Sequence, residues 1–414
     1  MKYVQRHLES KILRHIKNTS VILLTGPRQS GKSTLLQHLF KEWQYISFDN
    51  IQLRNEASSD PRIFLKKYPD KTIFDEVQKV PDLFHEVKLQ VDTDSKKRFI
   101  LSGSSNFLLM TKITESLAGR TSICELYPFL LSELLEIKQS RFLEYLEKTD
   151  SIESLKLKDK SVFSFNEIIN AVLYGGFPKV VLTNDSKENL IWFQNYQTTI
   201  VEKDFRDFIK VKNLQEFNKL YRMLAYQTAN LTNYSNLSSD LGVSAVTTRE
   251  YINLLVSSYQ FYFLYPYYRK LKTRLVKTPK LYSYDTGLSN FLERIYDKNK
   301  LLDGGRFGNI FENWVISELL KQRSLLDVPP DFNFWRNKSG VEIDLIIDYA
   351  DKIIPIEIKS SSKIDKSSAK NILTFMEYHK NTKVKIPFGL VIYLGDESFY
   401  LTENIMAVPV GCVV

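Results

Sequence analysis

The segment Gly26-Pro27-Arg28-Gln29-Ser30-Gly31-Lys32-Ser33-Thr34 decides the fold of the first part of the chain. It follows an apolar run, Val21-Ile22-Leu23-Leu24, and precedes an amphipathic stretch, an order typical of a buried strand, a tight loop and a helix. The segment fits the pattern G-x-x-x-x-G-K-[ST], in which glycines let backbone N–H groups turn toward phosphate oxygens and the helix adds the positive end of its dipole. We expect Lys32 to reach the β- and γ-phosphates and Ser33 to ligate Mg²⁺. The segment therefore predicts an ATP site that all of its residues surround.

A second motif lies downstream, where the apolar run Thr72-Ile73-Phe74 leads directly into Asp75 and Glu76. This pattern is typical of the Walker B strand of a nucleotide hydrolase. We expect Asp75 to complete the Mg²⁺ shell, and Glu76 to orient and deprotonate the attacking water. A further strand ends in Ser102-Gly103-Ser104-Ser105, where Ser102 or Ser104 could sense the γ-phosphate; an ordinary turn at the end of a strand is the alternative.

Composition bounds the function without specifying it. A chain of 414 residues predicts roughly three domains, and 43% hydrophobic with 25% charged residues is typical of a globular protein. The formal net charge of +9 favours a polyanionic partner such as nucleic acid, although dispersed surface lysines would give the same sum. Two distant cysteines, an N-terminus with no apolar signal region and no membrane-length apolar run predict a cytoplasmic protein without a membrane partner.

Taken together with the corner Leu117-Ala118-Gly119-Arg120, these motifs resemble those of the AAA+-type ATPases predicted in bacteria and archaea. The resemblance places Arg120 where such proteins carry an arginine finger, which would act on the nucleotide of a neighbouring subunit and so implies a homo-oligomer. A helix-terminal arginine paired with a carboxylate is the alternative. The turn Tyr174-Gly175-Gly176-Phe177-Pro178 resembles the helical lid of the same family.

A helix-turn-helix signature follows the lid. A short helix ends at Gly242, and a second helix spans 244–255, with Val246, Tyr251, Ile252 and Leu255 expected inside and Thr247, Thr248, Arg249 and Asn253 expected to face a groove. Strands near 260–265 and 280–284 flank a basic loop, 268–280, and together these elements predict a winged helix. Its loop would contact DNA phosphates; a winged helix that serves only for protein packing remains the alternative.

The last part of the chain carries an acid-acid-lysine set. Alternate residues of a strand share a face, so Glu357 and Lys359 point the same way, and Asp344 on a neighbouring strand can join them. With Glu312 on the preceding helix, the segment resembles the PD-(D/E)xK nuclease fold. The resemblance implies that Glu312, Asp344 and Glu357 hold Mg²⁺ or Mn²⁺ while Lys359 positions or activates water. Two alternatives stay open: a sheet with ordinary cross-strand ion pairs, and a nuclease-like fold without activity.

The resulting prediction is an α/β protein with four segments. They are a P-loop AAA+-type ATPase core (1–135), a helical lid and linker (136–212), a winged helix (213–292) and a restriction-endonuclease-like α/β domain (293–414). The predicted function is ATP hydrolysis coupled to DNA binding and metal-dependent DNA cleavage. The alternative is an ATP-dependent switch or DNA-binding regulator whose nuclease-like domain is inactive.

Overall fold

The structure, a computed structural model, describes residues 3–103, 117, 119–155, 157–183, 185–200, 214–268 and 277–414. The chain forms two compact units. The first comprises Met1–Phe129 with Leu255–Gln260, and the second comprises Leu130–Leu254 with Phe261–Val414. The finer division into four segments stays a prediction.

The first unit contains a fully parallel sheet of five strands in the order β2-β3-β4-β1-β5. The strands are β1 (Val21–Thr25), β2 (Gln44–Ser47), β3 (Thr72–Asp75), β4 (Phe99–Ser102) and β5 (Thr121–Glu125). Every residue of β1, β3 and β4 is buried, as expected where helices cover both faces of a parallel sheet. This confirms the α/β class and the parallel sheet.

The helices of the first unit are α1 (Leu8–Asn18), α2 (Lys32–Leu39), α3 (Ile51–Ser59), α4 (Pro61–Lys67) and α5 (Leu83–Thr93). On one side of the sheet, apolar side chains of α4 and α5 pack onto β1, β3 and β4 around Phe74. Helix α4 begins with Pro61, where its missing N–H costs nothing, after the capping carboxylate of Asp60. These helices hold the sheet from which the phosphate loop extends.

The second unit contains a nine-stranded mixed sheet in the order β13-β14-β12-β11-β10-β9-β7-β8-β6. Its strands are β6 (Asn230–Leu231), β7 (Phe261–Pro266), β8 (Lys280–Ser283), β9 (Asp331–Arg336), β10 (Glu342–Asp348), β11 (Ile353–Lys359), β12 (Gly389–Tyr393), β13 (Phe399–Thr402) and β14 (Ile405–Pro409). The two strands expected for the wing, β7 and β8, do pair antiparallel. Strand β7 also pairs with β9, so this hairpin continues the sheet that carries the acidic residues.

Helices surround that sheet. They are α6 (Leu131–Leu134), α7 (Phe142–Lys148), α8 (Phe165–Tyr174), α9 (Pro178–Val181), α10 (Ser186–Thr199), α11 (Leu214–Tyr226), α12 (Tyr234–Leu241), α13 (Ala245–Ser257), α14 (Thr286–Leu292), α15 (Lys298–Asp303), α16 (Phe307–Leu325) and α17 (Lys370–His379). One apolar core includes residues from Leu131 to Val414, so segments expected to be separate share their buried surface. No helix in the described ranges is long and apolar enough to cross a membrane.

The glycine turn that resembles a lid segment is held by Asp285. Gly176 N donates to the Asp285 carboxylate at 2.7 Å, and the same carboxylate accepts from Leu288 N at 3.0 Å. Gly175 has φ +69°, and a Cβ there would lie 2.2 Å from Asp285 Oδ1. Only glycine fits this position, which explains its place in the turn.

The two helices expected around Gly242 are present, but the side chains expected on the buried face of the second helix are partly wrong. Helices α12 and α13 flank Gly242, whose φ is +70°. Thr248, expected to face outward, is buried, whereas Val246, expected inside, is 68% exposed. The buried stripe runs through Thr248, Tyr251, Ile252 and Leu255, the spacing of one helix face, and Val246 lies two residues before it.

Candidate functional site

Strand order brings the predicted nucleotide-binding residues to one edge of the first sheet. In the order β3-β4-β1, the carboxyl end of β4 lies between those of β3 and β1. Asp75 is the last residue of β3, Ser102 is the last of β4, and the phosphate loop follows β1. Ligands of open parallel sheets bind at this edge.

The phosphate loop has the backbone that the motif requires. Positive φ angles occur at Gly26 (137°), Gln29 (59°) and Gly31 (98°), so the chain curls tightly before α2 starts at Lys32. The Lys32 ammonium folds back onto the loop and donates to Gly26 O at 2.9 Å and Pro27 O at 2.8 Å. Burial lowers its pKa to about 8, and the charges of Glu76 and Asp75 offset part of that effect.

The remaining residues of the phosphate loop differ in their exposure to solvent. Pro27 and Ser30 are buried, Arg28 is half-buried, and Gln29 and Thr34 are exposed. The prediction that all of them surround the phosphates stays a prediction.

Ser33 and Asp75 form the candidate Mg²⁺ site. Ser33 Oγ donates to Asp75 Oδ2 at 2.8 Å, and the Tyr45 hydroxyl donates to the same oxygen. Burial and the bond to Asp75 raise the pKa of Tyr45, which therefore stays a donor. A hydroxyl and a carboxylate are the hard oxygen ligands that Mg²⁺ takes in phosphate sites, so this pair fits the ion.

Glu76 directly follows Asp75 in a left-handed backbone conformation with φ 55°. Its N–H donates to Asp75 Oδ1 at 3.1 Å, and Gln78 Nε2 donates to its carboxylate at 2.5 Å. In the described part of the chain, the buried hydroxyls of Ser30 and Ser102 lack a hydrogen-bond partner. An orphaned buried donor at this edge suits a phosphate oxygen. Ser104, the other sensor candidate, lies outside the described residues.

Arg6 supports the phosphate loop from outside the motif. Its guanidinium is buried and donates to Ser30 O at 3.1 Å and Tyr127 O at 2.7 Å, and it lies 4.4 Å from the centre of the Phe129 ring. Sequence reasoning assigned Arg6 no role in the site, because one arginine before a helix carries no local signal of what it contacts.

Arg120 lies far from the phosphate loop of its own chain. It directly precedes β5, whose first residue pairs with Val21 at the start of β1, so it lies at the sheet edge opposite the phosphate loop. Five residues of β1 span about 16 Å. Its guanidinium pairs with Asp92. Both the finger in trans and the structural ion pair remain compatible with this position.

The second unit brings the predicted acidic set together. Asp344, on β10, accepts a hydrogen bond through Oδ2 from Ile358 N at 2.8 Å. Its carboxylate therefore lies against β11, beside the backbone between Glu357 and Lys359. Lys359 Nζ donates to Glu357 Oε2 at 2.6 Å, and Asn371 Nδ2 donates to Glu357 Oε1 at 3.4 Å.

Crowded negative charge shifts the pKa values in this cluster. Burial, followed by the charge of Asp344, raises the pKa of Glu357 to about 8 and that of Glu312 to about 7. Burial lowers the pKa of Lys359, but the charges of Glu357 and Asp344 outweigh that effect and raise it overall. Asp344 thus interacts with both glutamates, so the four predicted residues share one electrostatic environment.

Strand β8 supplies two further members that sequence reasoning missed. Lys280 Nζ lies 3.0 Å from Glu312 Oε1 and 2.6 Å from Glu342 Oε1, and its side chain is 3% exposed. Tyr282, two residues along the same strand face, donates to Glu312 Oε1 at 2.6 Å. The alternation Lys280-x-Tyr282 was the available signal, but the lysine was assigned to the basic loop.

Two lysines pair with the carboxylates of this cluster, Lys280 with Glu312 and Glu342, and Lys359 with Glu357. Considering only residues that the structure describes, no group of three or more His, Cys, Asp and Glu side chains is placed to hold a metal. Hard carboxylate oxygens suit Mg²⁺, but an ion bound by Glu312 would compete with Lys280 for the same oxygen. Most of the basic loop, including Arg269 and Lys272, lies outside the described residues.

Three parts of the chain match known protein families. Residues 18–135 match a family described as an AAA domain. Residues 165–299 match a domain of unknown function (DUF8612), and residues 307–413 match another (DUF4143).

Two relatives span most of the chain. An uncharacterized protein of Mycobacterium tuberculosis is 26% identical over 408 residues, which cover 98% of this chain and 83% of the relative. An uncharacterized protein of Methanocaldococcus jannaschii is 26% identical over 361 residues, covering 84% and 75%. A Walker-type ATPase of Pyrococcus abyssi, whose structure is solved, is 16% identical with a TM-score of 0.45, covering 70% of this chain and 96% of its own. The similarity of residues 18–135 to the AAA domain family supports a P-loop ATPase domain in that part of the chain.

Proposed function

We propose that the protein is an ATP-hydrolysing DNA-processing protein. The observation that carries the ATPase part is the convergence of Lys32, Ser33 and Asp75 at one sheet edge. Lys32 would release the loop carbonyls and bind the β- and γ-phosphates, and Glu76 would orient the attacking water and accept its proton. Ser33 and Asp75 would hold Mg²⁺, which would neutralise charge on the phosphates.

DNA binding is inferred from the helix-turn-helix. Arg249 and Asn253 are exposed on α13, on the face opposite the buried stripe. Arg249 lies 5.4 Å from the centre of the Tyr234 ring, so its charge lies beside the first residue of α12. Together with a net charge of +9, this exposed face supports contact with a nucleic-acid backbone.

Phosphodiester cleavage is the chemistry proposed for the acidic cluster. Asp344 and Glu357 would hold a divalent ion, and Lys359 would position water against the phosphate. The support is the shared electrostatic environment of the three side chains on adjacent strands.

A nicking assay tests this proposal. Supercoiled plasmid and branched DNA would be incubated with Mg²⁺ or Mn²⁺, with and without ATP. We expect cleavage by the native protein, loss of cleavage in Asp344→Asn and retained ATPase activity in that variant. Asp348→Asn, on the same strand but about 13 Å away, is the matched control and should cleave normally.

A second candidate is an ATP-dependent DNA-binding switch without cleavage. The pairing of Lys280 with Glu312 and Glu342 favours it, because an internal ammonium already occupies these carboxylates. Intact DNA under every metal condition, together with ATP hydrolysis that changes when DNA is added, would select the switch and reject cleavage.

A further inference from the structure

Tyr259 belongs to the first compact unit, although it is distant in sequence from the segment Met1–Phe129 that makes up most of that unit. Residues Leu255–Gln260 belong to the same compact unit as the phosphate loop. Tyr259 is 3% exposed, and its backbone has φ +60°. A large aromatic residue seldom adopts this left-handed conformation, so the surrounding contacts must stabilise it.

The Tyr259 hydroxyl contacts the base of the phosphate loop. It donates to Glu125 Oε1 at 2.9 Å and lies 3.3 Å from Thr25 Oγ1. Thr25 is the last residue of β1 and immediately precedes Gly26, the first residue of the loop. One phenol therefore contacts two neighbouring strand ends where the loop begins.

The carboxylate between these groups is held on both sides. The Tyr127 hydroxyl donates to Glu125 Oε2 at 2.8 Å, and the Tyr127 and Tyr259 rings meet edge to face with centroids 6.0 Å apart. Tyr127 O in turn accepts from Arg6, which also donates to Ser30 of the loop. The contacts thus run continuously from Tyr259 to the start of the loop and to Ser30 within it.

The start of the phosphate loop is in close backbone contact with the residue that follows β5. Leu126 N donates to Thr25 O at 2.8 Å, and a Cβ on Gly26 would lie 2.2 Å from Leu126 O. Because these backbones are in close contact, a shift of Glu125 or Thr25 must move Gly26. Gly26 O is also an acceptor for Lys32.

We propose that Tyr259 is a positioning residue for the phosphate loop, acting through Glu125 and Thr25 to set the geometry in which Gly26 and Lys32 receive the triphosphate. It does not touch the nucleotide. The role rests on the proposed ATP hydrolysis. Since a misplaced loop weakens contacts to bound substrate and transition state alike, loss of the hydroxyl should act on KM rather than on kcat.

Tyr259→Phe tests the proposal because it removes the hydroxyl and keeps the ring. We expect the KM for ATP, and the Kd for a fluorescent ATP analogue, to rise about tenfold, equivalent to about 1.4 kcal/mol, with kcat within about twofold of the native value. The matched control is Tyr349→Phe, which removes a hydroxyl that donates to Leu143 O at 2.6 Å in the other unit. It should leave KM unchanged.

A double-mutant cycle with Glu125→Gln tests whether Tyr259 positions the loop through Glu125. The melting temperature tests whether Tyr259 affects only the stability of the protein. If Tyr259 acts through Glu125, the effects on Kd of the two single changes will not add in the double variant. A lower melting temperature with an unchanged Kd in Tyr259→Phe would overturn the proposal and leave only a structural role. If the native protein binds the analogue and Tyr259→Phe binds it equally well, the proposal fails while the ATPase stands. If the native protein binds no nucleotide, both fail.

Discussion

Gly26→Ala should disable the nucleotide site through a single methyl group. The added Cβ would lie 2.2 Å from Leu126 O, whereas ordinary contact begins at 3.4 Å, so the two backbones must separate by about 1.2 Å. Neither can yield easily, because Thr25 pairs with Glu125 in the parallel ladder and Leu126 N donates to Thr25 O. Alanine at φ +137° adds strain of about 1–3 kcal/mol.

A shift of this size at a phosphate loop has a large functional cost. Displacement of reacting groups by about 1 Å can reduce catalysis about 100-fold, and Gly26 O would also lose its position relative to Lys32. We therefore expect kcat/KM for ATP to fall about 100-fold or more. Steady-state phosphate release and titration with a fluorescent ATP analogue measure it, on protein whose circular dichroism matches the native spectrum.

The control variant, Gly340→Ala, separates the effect of backbone strain from the effect of the close contact at Gly26. Gly340 also has a positive φ of +88°, but among the described residues no atom other than those of Gly340 and its two chain neighbours lies within 4 Å of a Cβ built there. Gly340→Ala should reduce the free energy of unfolding by about 1–3 kcal/mol and leave ATP affinity unchanged. Native ATP affinity and turnover in Gly26→Ala would refute the argument that this close approach holds the loop.

Three further changes test other contacts. Lys280→Met should lower the free energy of unfolding in urea by about 3–5 kcal/mol, because Glu312 and Glu342 lose their shared buried ammonium, and more than Lys359→Met, whose side chain is 36% exposed; equal losses would contradict this. Arg6→Ala should raise the Kd for the ATP analogue about tenfold or more, since two hydrogen bonds from a charged donor are lost; a native Kd would show that the loop does not need this support. Arg120→Ala should lose ATPase activity and regain it when mixed with inactive Lys32→Ala, which supplies the finger in trans; unchanged activity would leave Arg120 its ion pair only.

Local chemistry was sufficient to predict the backbone of the phosphate loop. The residues from Gly26 to Thr34 determine their own backbone, because glycines permit positive φ and the lysine and serine follow at the helix start. Asp75 was predictable because a parallel strand must end at the ligand edge. The approach of Glu357, Lys359 and Asp344 followed from the two-residue period of neighbouring strands.

Periodicity was less reliable where one helix face had to be chosen. Both helices around Gly242 were predicted, but Val246 and Thr248 were assigned to opposite faces from those they occupy. A hydrophobic side chain is a weak guide when threonine can satisfy its hydroxyl within the helix, as Thr248 does by donating to Ser244 O at 3.1 Å. Strand β9 was missed altogether, and with it the junction of the β7–β8 hairpin with the acidic sheet.

The sequence by itself determined which residues form the phosphate-loop motif and which carboxylates stand on adjacent strands, since both depend on neighbours a few positions away. Only the tertiary structure decided that Tyr259 reaches Glu125, that Arg6 reaches Ser30 and that Lys280 enters the acidic cluster. Such contacts join residues distant along the chain and depend on how helices and sheets pack. Packing is set by the sum of many weak, non-directional apolar contacts, and no short stretch of sequence records that sum.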